Sequence, residues 1–168
     1  MIIETAKLAD LNAILKIYGE ARAFMTETGN PTQWGKAYPH KATLEADIEE
    51  NRLFKLTDGE ALLGVFCFFI GEEPTYRKIY DGEWGSADPC GVIHRVAIAS
   101  AARGKGVVRE IFSFASERAP YIRIDTHRNN APMQRALMKF GFKRRGIIYL
   151  DSGDEREAFD FIRKEVYR

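Results

Sequence analysis

The segment that most constrains this chain is 92–108, Val-Ile-His-Arg-Val-Ala-Ile-Ala-Ser-Ala-Ala-Arg-Gly-Lys-Gly-Val-Val. It reads as an apolar strand running into a basic, glycine-rich turn and then a helix. Two residues of Arg103-Gly104-Lys105-Gly106 lack a Cβ, so several backbone N–H groups have room to converge. The following helix aims the positive end of its dipole at the same point, which suits a phosphorylated cofactor. The turn is not a P-loop: Lys105 lies between closely spaced glycines, and no Ser or Thr follows to hold magnesium. A dinucleotide fingerprint needs a third glycine where Arg109 stands. A Gly-x-Gly turn before a helix also serves as a plain connection, so the rest of the chain has to decide.

With 168 residues, 45% of them hydrophobic, the chain is long enough for one domain with a real core, and 1–168 is read as a single domain. Twenty-five basic residues against 24 acidic leave a formal charge of +1, so no global field favours nucleic acid or an anionic membrane. Arg144-Arg145 and Arg163-Lys164 are short pairs at strand ends. Cys67 sits in the apolar run 62–70 and Cys90 follows Pro89; neither has metal-ligand spacing, which points to a reducing compartment and no bound metal. No signal core opens the sequence and no apolar segment approaches a membrane span, so the expectation is a cytoplasmic protein.

Residues 1–6 read as a strand, and Leu11, Ile14, Leu15, Tyr18, Ala21 and Met25 recur at helical spacing behind Asp10. Turn chemistry fills 29–35, with Trp34 exposed in character, and Leu44 and Ile48 place a second helix at about 43–51. Strands 52–56 and 61–70 flank Thr57-Asp58-Gly59-Glu60, an Asp-Gly hairpin. A long loop, 71–89, carries a possible short strand near Lys78. Val107, Val108, Ile111, Phe112 and Ala115 stripe one helix, and 121–125 alternates as a strand. Asn130 caps a helix with Pro132 in its first turn, Met133, Leu137 and Phe140 facing inward, and Gly141 as its stop. A final hairpin joins 142–150 to 159–166 around Ser152-Gly153-Asp154. The fold class is α/β with a mixed sheet of the α+β kind.

In combination, Val96-Ala97-Ile98, the turn 103–108, and Asn130 and Leu137 ahead of Gly141-Phe142 resemble the GNAT superfamily of acyl-CoA-dependent N-acyltransferases. Thr126-His127-Arg128-Asn129-Asn130-x-x-Met133-Gln134 is similar to wording in many stand-alone bacterial members, and 1–25 to the family's first strand and helix. The resemblance implies a GNAT-like fold: a mostly antiparallel sheet of about six or seven strands, splayed at the cofactor site, with about four helices. It implies acetyl-CoA as cofactor, without a metal. The family's Arg/Gln-x-x-Gly-x-Gly/Ala signature matches Arg103, Gly106 and, departing from pattern, Val108. On that match the coenzyme A pyrophosphate would meet the amides of Arg103, Gly104, Lys105, Gly106, Val107, Val108 and Arg109. The pantetheine arm would pair with the main chain of Val96, Ala97 and Ile98 and pass Asn130 and Met133. Val108, bulkier than the family's residue, implies weaker or shifted binding.

The resemblance also implies acetyl transfer to a primary amine of a small molecule or peptide by direct attack in a ternary complex. An ammonium has no lone pair, so a base is needed, and His94 is the best placed of the three histidines. On period-two alternation it shares a face with Val92 and Val96. Two roles are open to it: the base, or a structural strand histidine. His127 reads as structural and His40 as a loop residue. Many family members protonate the departing thiolate with a Tyr four residues before the Gly-Phe pair; here Leu137 stands there, which leaves Tyr149, Tyr121 or water. A Tyr restored at 137 should then keep or raise activity. Gln33, Trp34 and Tyr149 are candidates to line the acceptor site, and Trp34 equally suits a loop anchor. A monomer or homodimer is expected. Two other classes stay open: a catalytically silent acyl-CoA-binding or sensing module, and a structural protein whose glycine turn is only a connection.

Overall fold

Ile2–Thr5 (β1), Leu53–Asp58 (β2) and Ala61–Ile70 (β3) are consecutive antiparallel partners, paired from Ile2↔Thr57 to Thr5↔Phe54 and from Leu53↔Cys67 to Asp58↔Ala61. This computed structural model describes residues 1–164. The β2–β3 hairpin forms as expected, but β2 runs to Asp58 rather than 56, so the two-residue link is Gly59-Glu60, with Gly59 at φ 59°. Gly64 to Phe68 of β3 are all buried, as expected of an apolar run covered on both faces. Between β1 and β2 lie Leu11–Glu27 (α1) and Lys41–Glu49 (α2). α1 buries Leu11, Ile14, Ile17, Tyr18 and Ala21 along one stripe. α2 begins two residues before the expected 43 and ends before Asn51, whose φ of 55° is incompatible with further helix.

The remaining elements are Gly91–Ile98 (β4), Val107–Arg118 (α3), Tyr121–Thr126 (β5), Ala131–Phe140 (α4), Lys143–Tyr149 (β6) and Glu155–Ile162 (β7). Strand order is β1-β2-β3-β4-β5-β7-β6. β4 and β5 are parallel; β5 with β7 and β7 with β6 are antiparallel. The mixed sheet of seven strands with four α-helices is thus the expected architecture among the described residues. By internal contacts the chain forms two units, Met1–Phe68 with His94–Ile111, and Phe69–Ile93 with Phe112 onward. No helix among the described residues is long and apolar enough to cross a membrane.

In the second unit, Phe112, Phe140, Phe142 and Phe161 form an aromatic core, with the Phe112 and Phe142 centroids 5.0 Å apart and those of Phe140 and Phe161 5.1 Å apart. α4 has the expected ends: the Asn130 side chain accepts from the Met133 N–H at 3.2 Å, and Gly141 adopts φ 117° while Phe142 N–H donates to the Leu137 carbonyl.

β7 starts at Glu155, four residues before the expected 159. The charged triplet Glu155-Arg156-Glu157 falls before the expected start, yet Arg156 is buried with its Nη1 donating to the Glu155 carbonyl at 2.8 Å, and Glu157, opposite Ile147, forms an ion pair with Arg144 of β6. The proposed strand end at Val166 lies outside the described residues. Loop 71–89 is tied down. Its strand-like point is one bridge, Tyr80↔Ile147, and Pro74–Tyr76 makes a 3-10 turn whose buried Tyr76 donates to Asp125 at 2.6 Å. Trp84 Nε1 donates to the Tyr76 carbonyl at 2.9 Å.

Burial pushes the phenols of Tyr18 and Tyr76 well above their usual range and that of Tyr121 up to about 12. The folded protein therefore holds these protons after the unfolded chain, with a Tyr pKa of about 10, has released them. The contribution of Tyr121 to stability is complete below about pH 10 and lost as pH rises through about 12, and those of Tyr18 and Tyr76 likewise begin to be lost above about pH 10. The expected result is alkaline unfolding in that window, with tyrosinate absorbance rising together with loss of ellipticity rather than ahead of it.

Candidate active site

Within β4, Arg95 holds φ 53°, a left-handed conformation that costs a bulky residue about 1–3 kcal/mol. Pairing of β4 with β5 covers Gly91↔Ile122 to Ile93↔Ile124, and the kink follows two residues later, while β4 continues to Ile98. The Arg95 side chain is 15% exposed and grips Asp47 of α2 with both ends of its fork: Nε donates to Oδ2 at 2.9 Å and Nη2 to Oδ1 at 2.8 Å. Nη1 donates to the Tyr38 hydroxyl at 3.1 Å, and the Arg95 carbonyl accepts from the buried Tyr18 hydroxyl at 2.7 Å. Cys67 of β3 is fully buried, and burial pushes its thiol up to about 12, which keeps it neutral.

His94, directly before the kink, is half-buried and takes part in interactions of its own. The left-handed Arg95 interrupts the extended backbone on which alternation of His94 with Val96 depends, so the expected shared face of these two residues is broken at the kink. The relation of His94 to Val92 is unaffected.

The glycine turn follows in the same unit. Gly104 and Gly106 adopt φ 77° and 80°, which side-chain-bearing residues reach only under strain, and a Cβ at either would meet nothing within 4 Å. The turn thus combines a backbone only glycine takes easily with an open face. Beyond it, α3 opens at Val107, and by helix geometry the first-turn N–H groups have no acceptor within the helix. The Glu110 N–H is taken by the Gly106 carbonyl at 3.2 Å. Lys105 and Arg109 are exposed, Val107 is buried and Val108 half-buried.

α1 braces this turn in a way the sequence did not announce. Glu20 accepts from the Ser100 N–H at 2.8 Å, a backbone hydrogen bond that lowers its carboxyl pKa. Arg103 donates to the Glu20 carbonyl at 3.1 Å and lays its guanidinium over the Phe24 ring at 4.1 Å. β3 contributes by omission: a Cβ on Gly64 would come within 3.0 Å of Val107 and 3.3 Å of the Ala97 carbonyl, so α3 starts close on the strand because residue 64 is glycine.

The segment between α1 and α2 presents Trp34 half-buried rather than exposed, edge-on to Tyr18 at 5.6 Å and Tyr38 at 6.3 Å. Gln33 accepts from Asn30 at 2.7 Å. Gln33, Trp34, His94, 96–98 and 103–109 all belong to the first unit; Asn130, Met133 and Tyr149 fall in the second.

In that second unit, Asn130 acts as the α4 cap and Met133 is half-buried. His127 accepts from the Asn129 N–H through Nδ1 at 3.0 Å, and burial lowers its pKa, in keeping with a neutral structural residue. Tyr149 is 40% exposed at the end of β6, where the Glu155 carboxylate raises its phenol pKa. Tyr121 is buried and donates to Asp160 at 2.9 Å. Leu137 is fully buried. The expectation that a Tyr there keeps or raises activity gives way to packing: Leu137→Tyr should overfill this core and cost about 1–3 kcal/mol, seen as a lower Tm.

Comparison with known proteins accounts for this arrangement. Residues 15–142 match the model of the acetyltransferase (GNAT) family. None of the curated proteins compared matches the chain significantly. Among solved structures, a GNAT-family acetyltransferase from Streptococcus agalactiae is 30% identical, with a TM-score of 0.90 over 98% of this chain and 96% of that one. The yncA protein of Salmonella typhimurium, solved with its cofactor acetyl-CoA, shares the fold at 17% identity and TM-score 0.65, covering 99% of this chain and 96% of its own. So does a ribosomal-protein-alanine N-acetyltransferase from Brucella melitensis, at 18% identity and TM-score 0.64, with 96% and 99% covered. A family match over most of the chain, with a relative 30% identical over nearly all of it, makes this protein a member of the acetyltransferase (GNAT) family.

Proposed function

We propose that the protein transfers an acetyl group from acetyl-CoA to a primary amine of a small molecule or peptide, by direct attack within a ternary complex. The observation that carries this reading is the turn 103–106: two glycines at φ 77° and 80° with open space at both Cβ positions, leading into the N-terminus of α3. Those features fit a pyrophosphate, whose oxygens approach backbone too closely for side chains. When bound, acetyl-CoA supplies an activated thioester carbonyl.

The amides of Gly104 and of Gly106 to Arg109 bind the pyrophosphate, whereas the Arg103 and Lys105 N–H groups, expected to join them, donate to the Ser100 and Ala102 carbonyls at 3.4 and 3.2 Å; Val96, Ala97 and Ile98 offer main-chain groups beyond the last β4–β5 pair to the pantetheine amides. The amides of 96–98 donate to the thioester oxygen as it gains negative charge. His94 removes the amine proton, directly or through one water, and Gln33 and Trp34 line the acceptor. Neither phenol is well suited to protonate the leaving group, because Glu155 makes that of Tyr149 less acidic and that of Tyr121 is committed to Asp160, so solvent would supply that proton. A thiol pKa of about 8.5 makes departure without a protein acid tolerable.

The direct test is thiol release from acetyl-CoA with a panel of amines, amino acids and peptide N-termini. Amine-dependent release supports the reading; tight acetyl-CoA binding without release to any acceptor favours a silent acyl-CoA-binding module instead. The turn gives two further expectations. Gly64→Ala should force Val107 and the start of α3 outward by a few tenths of an ångström and raise KM for acetyl-CoA several-fold, with kcat near wild type. Val108→Ala should lower that KM, because it removes two methyl groups beside the phosphate amides while leaving the amides in place.

A further inference from the structure

A left-handed arginine inside a strand persists only where its surroundings over-determine it, and Arg95 is held from three directions: by Asp47 on α2, by Tyr38 on the segment before α2, and by Tyr18 on α1. Stability alone is a poor account of such an arrangement. A buried ion pair is on average no better than packed apolar residues, and an extended residue at 95 would carry no strain. What these contacts do fix is one peptide plane. Carbonyl and N–H of a trans peptide point in opposite directions, so the Tyr18 hydroxyl, by holding the Arg95 carbonyl at 2.7 Å, also sets the direction of the Val96 N–H.

We infer that Tyr18, Tyr38, Asp47 and Arg95 are positioning residues that aim the Val96 amide at the reacting carbonyl. Asp47 and Tyr38 lock the guanidinium, the guanidinium holds residue 95 in its left-handed conformation, and Tyr18 fixes the resulting peptide. The inference rests on the proposed acetyl transfer, and it adds what keeps the kink in place. None of the four touches the reacting atoms; they act through the backbone.

The test uses the full-length protein with Tyr18→Phe, Asp47→Asn and Arg95→Gly. Tyr18→Phe removes one oxygen from a packed ring and leaves its shape. Arg95→Gly retains a residue at ease with φ 53° but removes the side-chain lock. The expected result is a kcat lower by about tenfold in Tyr18→Phe and by more in the other two, with KM and calorimetric Kd for acetyl-CoA within about twofold of wild type. Arg95→Lys should not rescue, since one ammonium cannot bridge both Asp47 oxygens and Tyr38. A purely structural cluster would lower Tm and leave the kcat of folded Tyr18→Phe unchanged, which overturns the inference. Should Asp47→Asn or Arg95→Gly fail to fold, Tyr18→Phe decides alone. If the wild-type protein transfers no acetyl group, the proposed function fails, and the clamp is judged by NMR: Tyr18→Phe should move the Val96 amide resonance while those of Val92 and Ile93 stay, and an unmoved Val96 refutes it.

Discussion

His94→Ala is expected to lower kcat at neutral pH by about a hundredfold or more, the range a positioned general base provides, with KM for acetyl-CoA within about twofold. The pH profile separates this from a general loss of structure. An alkylamine acceptor has a pKa of about 10.4, so the fraction already free of its proton rises about tenfold per pH unit below that value. A variant without the base depends wholly on this fraction. Its deficit should therefore shrink steadily from pH 7 toward about pH 9, still below the window in which the buried tyrosines begin to release protons. A constant deficit across that range, or none at pH 7, removes His94 from the mechanism.

Asp160→Ala should be the most destabilising single change in the second unit. The carboxylate is 1% exposed and accepts from Arg145 Nε at 2.6 Å, the Gly85 N–H at 2.8 Å and the Tyr121 hydroxyl at 2.9 Å. It thus joins β7, β6, β5 and loop 71–89 through one side chain. Arg145 reaches it because the β6–β7 register shifts between Arg144 and Gly146, making Arg145 the extra residue of a bulge. Removing the acid strands a cation and two donors, for which about 3–5 kcal/mol is the usual penalty. For a chain of this size that corresponds to a fall in Tm of about 6–20 °C. Asp160→Asn keeps acceptor capacity and should lose less. A thermal melt checks both, and a shift of only a degree or two in the alanine variant would mean that the loop and strands are held by their apolar contacts alone.

What could be read from the sequence was whatever a short window encodes. Gly104 and Gly106 signalled their turn because only glycine takes φ near 80° without strain, and Asn130, Pro132 and Gly141 marked the ends of α4 by chemistry local to those ends. The contacts that brace the site were not legible, because their partners are far apart in the chain: 48 residues for Arg95 and Asp47, 77 for Tyr18 and Arg95, 80 for Glu20 and Ser100. One clue was present. Asp47 sits three residues after Leu44 and one before Ile48, on the inward stripe of α2, and an acid at such a position demands a buried partner. Gly64 gave none, since a glycine within an apolar strand looks alike whether it marks a bulge or a close approach, and here it stands beside both, the extra residue Leu63 and the start of α3. For Trp34 the turn residues around it left an exposed acceptor-lining residue and a loop anchor equally open, and only the packing of its ring on Tyr18 and Tyr38 favours the anchor.

Acetyl transfer by this protein depends first on capture of the acetyl-CoA pyrophosphate by the main chain between Gly104 and Arg109. Calorimetric titration of acetyl-CoA into the wild-type protein and into Gly106→Val tests it most directly, because valine adds both left-handed strain and bulk on the open face of the turn. The account predicts saturable one-site binding to the wild-type protein and a loss of affinity of tenfold or more in a variant whose melting curve shows it folded. Equal affinity in the two proteins would contradict it.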